Sequence, residues 1–174
     1  IRSGRECGGY ATDSLVLFAK QPVVSPSPVG IPYNEQELRF FSMLSSDTVK
    51  QVSGAFDQEF WSTHVLRAAR VYPAVWHAGL ALSATHVRAK ITSKSQIAHS
   101  TRQNYYKFAL REYNASIKYL IGIGRHDKPS IADQESMLLS SLLFAGLSSI
   151  QCDYEQATSH AHSGLKLFYD WKFW

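Results

Sequence analysis

The sequence is poor in cysteine and has no long apolar run, and these absences exclude several classes of protein. Its two cysteines, Cys7 and Cys152, lie 145 positions apart. They form no disulfide framework and fit a reducing compartment. No run of about 18 apolar residues occurs, so we expect no membrane span. No secretory signal opens the chain, and because its first residue is Ile1 and not methionine, we expect it to begin inside a longer protein.

Motifs of enzyme chemistry are absent as well. The sequence has no HExxH, no CxxC, no GxSxG and no glycine loop of the kind that holds phosphate. Asp57 and Glu59 could be paired carboxylates, but acids at a helix N-terminus explain them better, because they favour the helix dipole. Cys152 follows an apolar helix end and is predicted to be a small buried hydrophobe. We therefore predict that the chain is not an enzyme.

The composition that remains is that of a globular domain. Of the 174 residues, 45% are hydrophobic, 13% are aromatic and 18% are charged. Such a chain is long enough and apolar enough to bury a real core. The net charge of +4 permits an acidic partner without requiring one.

Prolines divide the chain. Residues 1–20 are mixed and have no helical period, whereas residues 21–33 contain four of the six prolines. Proline fixes φ and removes a backbone donor, so this stretch is predicted to be an extended linker. Residues 34–174 have helical texture, which predicts a helical domain behind the linker.

Helices are predicted throughout that domain, and no strand alternation is visible. The expected helices are 35–44, 58–69, 73–88, 101–121, one ending near Ile150 and one following Asp153. Their predicted N-terminal caps include Asn34, Thr101, Ser130 with Asp133, and Asp153. Residues 47–57 and 90–100 are expected to be turn and loop. The helix at 73–88 is apolar on nearly every side and should be central.

Apolar stripes indicate how the last three helices pack. The stripes are Tyr106, Leu110, Tyr113, Ile117 and Leu120; Leu139, Leu142, Leu143, Leu147 and Ile150; and Ala157, Ala161, Gly164, Leu165 and Phe168. Only two or three residues connect the last two helices, which predicts an antiparallel hairpin. Gly146 and Gly164 should allow its backbones to approach closely. The predicted fold is all-α, an irregular bundle of antiparallel helical hairpins; a repeat array is not supported.

Seven histidines raise the possibility of a metal site. They are His64, His77, His86, His99, His126, His160 and His162. His160 and His162 are two residues apart on a helix and therefore point to different faces, while His77 and His86 are half a turn out of phase. Because no ligand spacing is present, scattered surface and core histidines are the better interpretation.

A basic run could be a nucleic-acid face. Nine Lys or Arg residues and two acids lie between Arg88 and Lys128, a local net charge of +7. Lys107, Arg111 and Lys118 lie away from the apolar stripe, and no base-reading motif accompanies them. A solvated helix face beside a basic loop is therefore the preferred interpretation.

The first ten residues, IRSGRECGGY, resemble the last loop of the six-cysteine zinc binuclear cluster of fungal transcription factors. The resemblance makes Cys7 the sixth zinc ligand and puts the fifth cysteine immediately before Ile1. Arg2 and Arg5 could then touch DNA phosphate in the intact protein, or lie in a solvated loop. Five of the six cysteines are absent here, so the chain cannot build the cluster.

The remaining residues resemble the helical regulatory region that follows the cluster in this family. The matching segments are LRFFSMLSSDTVKQVSGAFDQEFW at 38–61, PAVWHAGLALSATH at 73–86, ALREYNASIKYL at 109–120 and SLLFAGLSSIQCDYEQATSHAHSGLKLF at 141–168. They occur in the family's order and cover most of residues 35–170. The family's dimerising coiled coil is not evident. The family's helical region also continues beyond this end, so apolar helix faces should be uncovered, with FYDWKFW as a candidate.

The resemblance implies that residues 1–20 are the remnant of a DNA-binding domain and that residues 34–174 are the regulatory domain of an RNA polymerase II transcription factor in the nucleus. The intact protein would hold zinc and bind DNA through its cluster, whereas this chain would bind neither zinc nor a specific DNA site. Implied partners are transcription machinery or regulatory proteins, a second copy in a homodimer, and a small-molecule effector, without a membrane. The alternatives are a helical interaction scaffold with no DNA role, and a helical enzyme or ligand carrier.

Overall fold

The structure, a computed structural model, describes residues 30–54, 58–92, 95–125 and 128–172, and these residues form helices without a β-strand. The helices are α1 (Glu35–Met43), α2 (Val49–Ser53), α3 (Leu66–Val71), α4 (Pro73–Lys90), α5 (Gln96–Ile123), α6 (Ile131–Ile150) and α7 (Tyr154–Asp170). The all-α prediction is confirmed. No described helix combines the length and hydropathy needed to cross a bilayer.

Helix α4 forms the centre of the bundle, as its sequence predicts. Trp76, Leu80 and Leu82 are fully buried, and α1, α3, α5 and α6 all pack against this helix. A helix that is apolar on every side has no polar face that could be exposed to water, so it is stable only when other elements bury it on all sides. Two hydroxyl groups join α4 to neighbouring helices. Ser83 Oγ of α4 donates to the Phe40 carbonyl of α1 at 2.9 Å, and Ser116 Oγ of α5 donates to the Ala74 carbonyl of α4 at 2.7 Å.

The first helical segment is longer than predicted. A π-helical turn, Leu44–Thr48, joins α1 to α2, and the segment ends only at Gly54, whose φ is +54°. The prediction of a turn over 47–57 is therefore wrong for residues 47–53. Serine, aspartate and threonine are poor helix formers, but Leu44, Thr48 and Val49 are all buried in this segment. The gain from that burial outweighs the local preference.

A second π-helical segment, Phe60–Val65, leads into α3. Trp61 and Val65 from this segment are buried, and the whole helical stretch agrees with the predicted helix at 58–69 to within two residues. Before α1, Ile31 is buried and the Tyr33 ring lies 6.4 Å from that of Trp76. The end of the proline-rich segment therefore packs against the core, while residues 21–29 lie outside the described residues.

Helix α5 begins earlier and faces inward differently than predicted. Ser95 caps it by accepting from the Ala98 amide at 3.2 Å, so the prediction of Thr101 as its cap is wrong. Its buried face carries Phe108, Ala109, Glu112 and Ser116. Of the predicted stripe, Tyr113, Ile117 and Leu120 pack against the core, whereas Tyr106 and Leu110 are 41% and 47% exposed. A glutamate and a serine on the inner face hid that face from a search for apolar periodicity.

Helices α6 and α7 form the predicted hairpin. Ser130 and Asp133 make the expected capping box, and Asp153 caps α7 by accepting from the Gln156 amide at 3.1 Å. At Gly164 an added Cβ would lie 3.2 Å from Ser141 Cβ, so this glycine does allow a close approach.

Two predictions about this hairpin are wrong. Gly146 faces Val52 and Leu82, at 3.6 and 3.7 Å from an added Cβ, and so allows contact with the helices on the other side of α6. Cys152 is exposed and has a φ of +60°, because it occupies the left-handed position of the connection between the two helices.

Candidate functional site

An apolar groove runs between α6, α7 and the π-helical segment Phe60–Val65, and we call it the α6–α7 groove. Its volume is about 550 Å³, which lies within the range of small-molecule sites. Its walls are the side chains Leu138, Leu139, Leu142, Ala145, Ala161, Leu165 and Phe168, with Phe60 at one end. Leu142 is 38% exposed and Leu165 is 54% exposed, so these apolar surfaces are accessible.

The groove exists because α7 is covered on one side only. Helix α7 packs against α6, and of its predicted inner stripe only Ala157 is buried. Ala161, Gly164, Leu165 and Phe168 from the same stripe line the groove. The uncovered apolar face that the sequence led us to expect is therefore found on α7, and it includes the first residue of FYDWKFW.

Four polar side chains border the groove: Glu135, His160, His64 and Ser141. The Tyr72 hydroxyl donates to Glu135 Oε2 at 2.7 Å, and this bond, together with burial, raises the pKa of Tyr72 to about 12. Burial lowers the pKa of His160, whose ring lies 5.3 Å from that of Phe144. His64 is stacked on Phe60 with 6.2 Å between ring centroids. The groove can therefore hold an apolar group and offer a carboxylate and two imidazoles at its edge.

The hydroxyl of Ser141, which also lines the groove, is engaged within its own helix. Ser141 Oγ donates to the Met137 carbonyl of its own helix at 2.9 Å, so its proton is engaged by backbone. A nucleophile needs a base within hydrogen-bond reach, and among the described residues no hydrogen bond joins Ser141 to His160 or His64. In the same part of the chain, no group of three or more His, Cys, Asp or Glu side chains could hold a metal ion.

A buried carboxylate forms a second polar cluster, where α4 meets α5. Glu112 is 2% exposed; its Oε2 lies 2.7 Å from His77 Nδ1, and its Oε1 lies 2.9 Å from the Arg111 guanidinium. The Tyr119 ring stacks on His77 at 5.6 Å. Both carboxylate oxygens are thus engaged, which makes burial of the charge tolerable. The cluster ties two helices together.

A third cluster centres on His86 and joins α4 to the first helical segment. Thr48 Oγ1 donates to His86 Nδ1 at 2.9 Å, and His86 Nε2 donates to Gln51 Oε1 at 2.8 Å. The Gln51 amide then donates to Asp47, which Lys90 also contacts. The amide oxygen can only accept, so Nε2 carries a proton, and the ring is neutral when the Thr48 hydroxyl donates to Nδ1. Burial, and then Lys90, lower the pKa of His86, in agreement with that form.

The residues that the sequence singles out as sites do not converge. Cys7, Arg2 and Arg5 lie outside the described residues, as do Asp57 and His126. The described histidines lie at several places: His77 binds Glu112, His86 binds Thr48, and His64 and His160 both border the α6–α7 groove, while His162 is exposed. The interpretation of scattered histidines therefore stays a prediction, and it does not hold for His64 and His160, which share the groove.

Zinc, which the family resemblance implies for the intact protein, does not fit this chain. A binuclear cluster needs six cysteine ligands, and the sequence has two. Cys152 is exposed at the α6–α7 connection, in a helical context without further cysteine or histidine ligands among the described residues. No chemistry of this chain is therefore derived through zinc.

Sequence reasoning missed Glu112, Thr48 and Gln51 as members of polar clusters. One signal was present for Glu112, because it is the single acid in the 28 residues of α5. A single acid in an otherwise basic helix indicates that its carboxylate has a specific partner. Thr48 and Gln51 gave no comparable signal, because their partner His86 is 38 and 35 residues away in the sequence.

Comparison with known proteins adds no family to this picture. No protein-family model, curated protein or solved structure matches the chain. The resemblance to zinc-cluster factors is therefore carried by the sequence segments quoted above. The function of the chain follows as a proposal from those segments and from the geometry of the groove and the clusters.

Proposed function

We propose that this chain is the helical regulatory region of a fungal zinc-cluster transcription factor, which controls transcription by RNA polymerase II in the nucleus. In this proposal the intact protein binds zinc and DNA through its cysteine cluster, with Cys7 as the last ligand and Arg2 and Arg5 near phosphate. The chain itself binds neither zinc nor a specific DNA site. It is not an enzyme, and it acts through the partners and ligands that its helices contact.

The observation that carries the proposal is where the four family-like segments lie in the fold. Segment 73–86 is most of α4, and segment 38–61 supplies Phe40, Phe41 and Leu44, all fully buried against it. Segment 109–120 contributes Glu112 and Ser116 to the same helix contact, and segment 141–168 is most of the α6–α7 hairpin. A resemblance located in core-forming segments supports a shared fold, because core positions are the ones that packing constrains.

The α6–α7 groove is the surface on which such a region would act. Regulatory proteins, transcription machinery, a second copy of the chain and a small-molecule effector are the partners that the proposal allows. An apolar groove of about 550 Å³ can accept an apolar side chain of a partner or a small apolar molecule. The groove supports binding in general and does not by itself choose between these partners.

A helical interaction scaffold with no DNA role is the second candidate function. The groove favours it, because an accessible apolar surface of this kind is typical of a binding protein whether or not a DNA-binding domain is attached. The two proposals differ in what lies upstream of Ile1 in the same gene. They agree that the chain binds through its helices.

Sequencing the transcript upstream of Ile1 tests the choice. The transcription-factor proposal expects a cysteine directly before Ile1 and four more within about 30 residues. A start codon or an unrelated sequence at that place would remove the DNA-binding role and leave the scaffold. Metal analysis of the purified chain is the companion measurement, and a stoichiometric zinc ion on it would contradict the proposal.

A further inference from the structure

The exposed face of α5 is cationic without compensation. The helix carries Arg102, Lys107, Arg111 and Lys118, and its single acid, Glu112, is buried. Arg111 contacts Glu112, whereas Arg102, Lys107 and Lys118 have no carboxylate within ion-pair distance among the described residues. A soluble helix usually mixes charges of both signs on its water-facing side. A face of one sign attracts a partner of the opposite sign.

A small pocket opens beside this face, at the ends of α4, α6 and α7. Its volume is about 230 Å³, and Tyr106, Leu110 and Tyr113 of α5 form one wall, with Leu147 and Gln151 of α6 opposite. We call it the α5 pocket. It is separate from the α6–α7 groove, with which it shares no lining residue. Roughly half of its lining is polar, so it differs from the groove in chemistry as well.

A buried hydroxyl without a partner lies at the α5 pocket. Thr85 is 2% exposed and lines the pocket, and its Oγ1 makes no hydrogen bond. Beside it, the Arg88 guanidinium lies 5.2 Å from the Tyr106 ring centroid, and Arg88 Nε is also buried without a partner. Buried polar atoms normally have partners, and each exception needs an explanation. A ligand group that enters the pocket would supply one.

One cation of α5, Arg102, lies on the same side of the helix as the pocket, and a second, Lys107, borders that side. Arg102, Tyr106 and Leu110 follow each other at intervals of four residues and so form a row along the helix. Lys107 is three residues before Leu110 and borders the same row. Tyr106 is 41% exposed and Leu110 is 47% exposed, so both are accessible at the rim of the pocket. A ligand seated in the pocket would therefore lie against positive charge.

We infer that α5 and its pocket bind an acidic peptide segment that carries one aromatic side chain, with the aromatic group in the pocket and the carboxylates at Arg102 and Lys107. Tyr106 and Tyr113 both line the pocket and can pack against an aromatic ring, and a Tyr or Trp can also exchange a hydrogen bond with the Thr85 hydroxyl. About 4 residues of extended peptide cover the roughly 12 Å from Arg102 to Leu110.

A peptide fits this surface better than a nucleic acid does. The phosphate backbone of a duplex would meet the cations but would leave the pocket and the exposed Leu110 uncovered, because a duplex presents no apolar anchor on its outside. The far rim of the pocket is less positive, since the two acids Asp153 and Glu155 come just before Gln156 at the start of α7. The acidic part of the peptide should therefore follow α5 and avoid α7.

Fluorescence anisotropy with the full chain tests the inference. The probe is a labelled peptide of about 12 Glu and Asp residues around one central Trp, longer than the binding face. We expect saturable binding that weakens about 5-fold or more when salt rises from roughly 50 to 300 mM, because exposed charges are screened. Arg102→Glu with Lys107→Glu should weaken it about 10-fold, since each rim charge contributes a factor of a few.

Matched controls decide between the possible outcomes. Lys50→Glu changes the same charge on an exposed residue of α2, and it should alter binding less than about 2-fold. Replacing the peptide's Trp by Ala should weaken binding about 5-fold, because the anchor is lost. Equal binding by the alanine peptide, or by a peptide with Lys in place of its acids, would overturn the inference. So would a duplex DNA that binds more tightly and displaces the peptide, which would assign the face to nucleic acid.

Discussion

Glu112 shows how a single residue can fasten two helices of this bundle. Its carboxylate is almost fully buried, and it is bound from α4 by His77 and from its own helix by Arg111. Moving a charged group out of water costs several kcal/mol of solvation free energy, and the interactions with its partners must offset this loss. Removing one member of such a group leaves the others buried with unmet hydrogen-bonding capacity.

Glu112→Ala is therefore predicted to destabilise the chain by about 2–3 kcal/mol, because His77 would lose its partner and a small cavity would remain. The figure stays below that of a fully buried pair because the Arg111 side chain is 56% exposed. Urea denaturation followed by circular dichroism measures the change. Glu155→Ala, on the exposed side of α7, is the control and should stay within about 0.5 kcal/mol. Equal stability of the two variants would contradict a fastening role for Glu112.

Gly79 is a second residue at which close packing disfavours a larger side chain. An added Cβ at this position would lie 2.8 Å from Leu44 Cδ2, and Leu44 is fully buried. Gly79→Ala should destabilise by about 1–2 kcal/mol, because overpacking exceeds the gain in helix propensity.

Gly122→Ala is the matched control for Gly79→Ala. Nothing lies within 4 Å of an added Cβ at Gly122, near the end of α5. This change should therefore stabilise by about 0.5 kcal/mol through helix propensity alone. Thermal melts of the two variants should move in opposite directions, and a rise in both would show that Leu44 can move aside.

Among elements, the contact between α4 and the first helical segment depends on a neutral histidine. His86 accepts from Thr48 and donates to Gln51, and the π-helical turn Leu44–Thr48 brings Thr48 to this place. The charged groups near the ring are Lys90 and Asp47, which contact each other at the surface. Protonation of Nδ1 would end the bond that Thr48 donates, and the hydroxyl would have to turn and accept from the ring instead.

This contact predicts a stability that falls with acid. Burial lowers the pKa of His86 below its ordinary value of 6.5, so the unfolded chain binds this proton more readily than the folded one. The free energy of unfolding should therefore keep its full value above about pH 6.5, decline as the pH falls from there to the lower pKa of folded His86, and level off below that pKa. Burial of His160 acts with the same sign.

Urea denaturation between about pH 7.5 and pH 5 measures this decline, above the range in which most carboxylates titrate. His86→Gln should give a flatter dependence on pH than the native chain, although its stability at neutral pH is lower. His160→Gln should remove the other part of the slope. A slope that is unchanged in His86→Gln would show that this imidazole is not the group that titrates.

The elements also show how far sequence reasoning reaches. Helix α4, the capping box at Ser130 and the hairpin at Asp153 can be predicted from local sequence patterns, because each depends on residues that are close together in the chain. Thr48 is predicted to lie in a turn, because the residue that holds it in a helix, His86, is 38 positions away. The inner face of α5 is predicted only in part, since the burial of Glu112 depends on His77. The groove was foreseen as an uncovered face, but its partner residues, Phe60 and His64, were not.

At the scale of the whole molecule, the bundle has a closed side and an open side. Around α4 the packing is complete, and the largest buried side chains are there. At the other end, α7 rests on α6 and leaves apolar surface accessible in the α6–α7 groove. Burial of apolar surface contributes about 25 cal/mol per Å², so a partner that covers this groove gains affinity from it.

The groove is predicted to bind an apolar fluorescent dye such as anilinonaphthalene sulfonate while the chain is fully folded. Leu165→Gln places an amide in the wall of the groove and should lower the dye's affinity about 3-fold or more, because burying an unpaired amide costs more than 1 kcal/mol. Ile97→Gln is the matched control: Ile97 is 79% exposed at the start of α5, and its replacement should leave dye binding unchanged. Both variants should unfold within about 1 kcal/mol of the native chain, since neither side chain is buried. Equal dye binding by Leu165→Gln and the native chain would mean that the groove is not the accessible apolar surface of the folded molecule. The proposals that give it a partner would then lose their support.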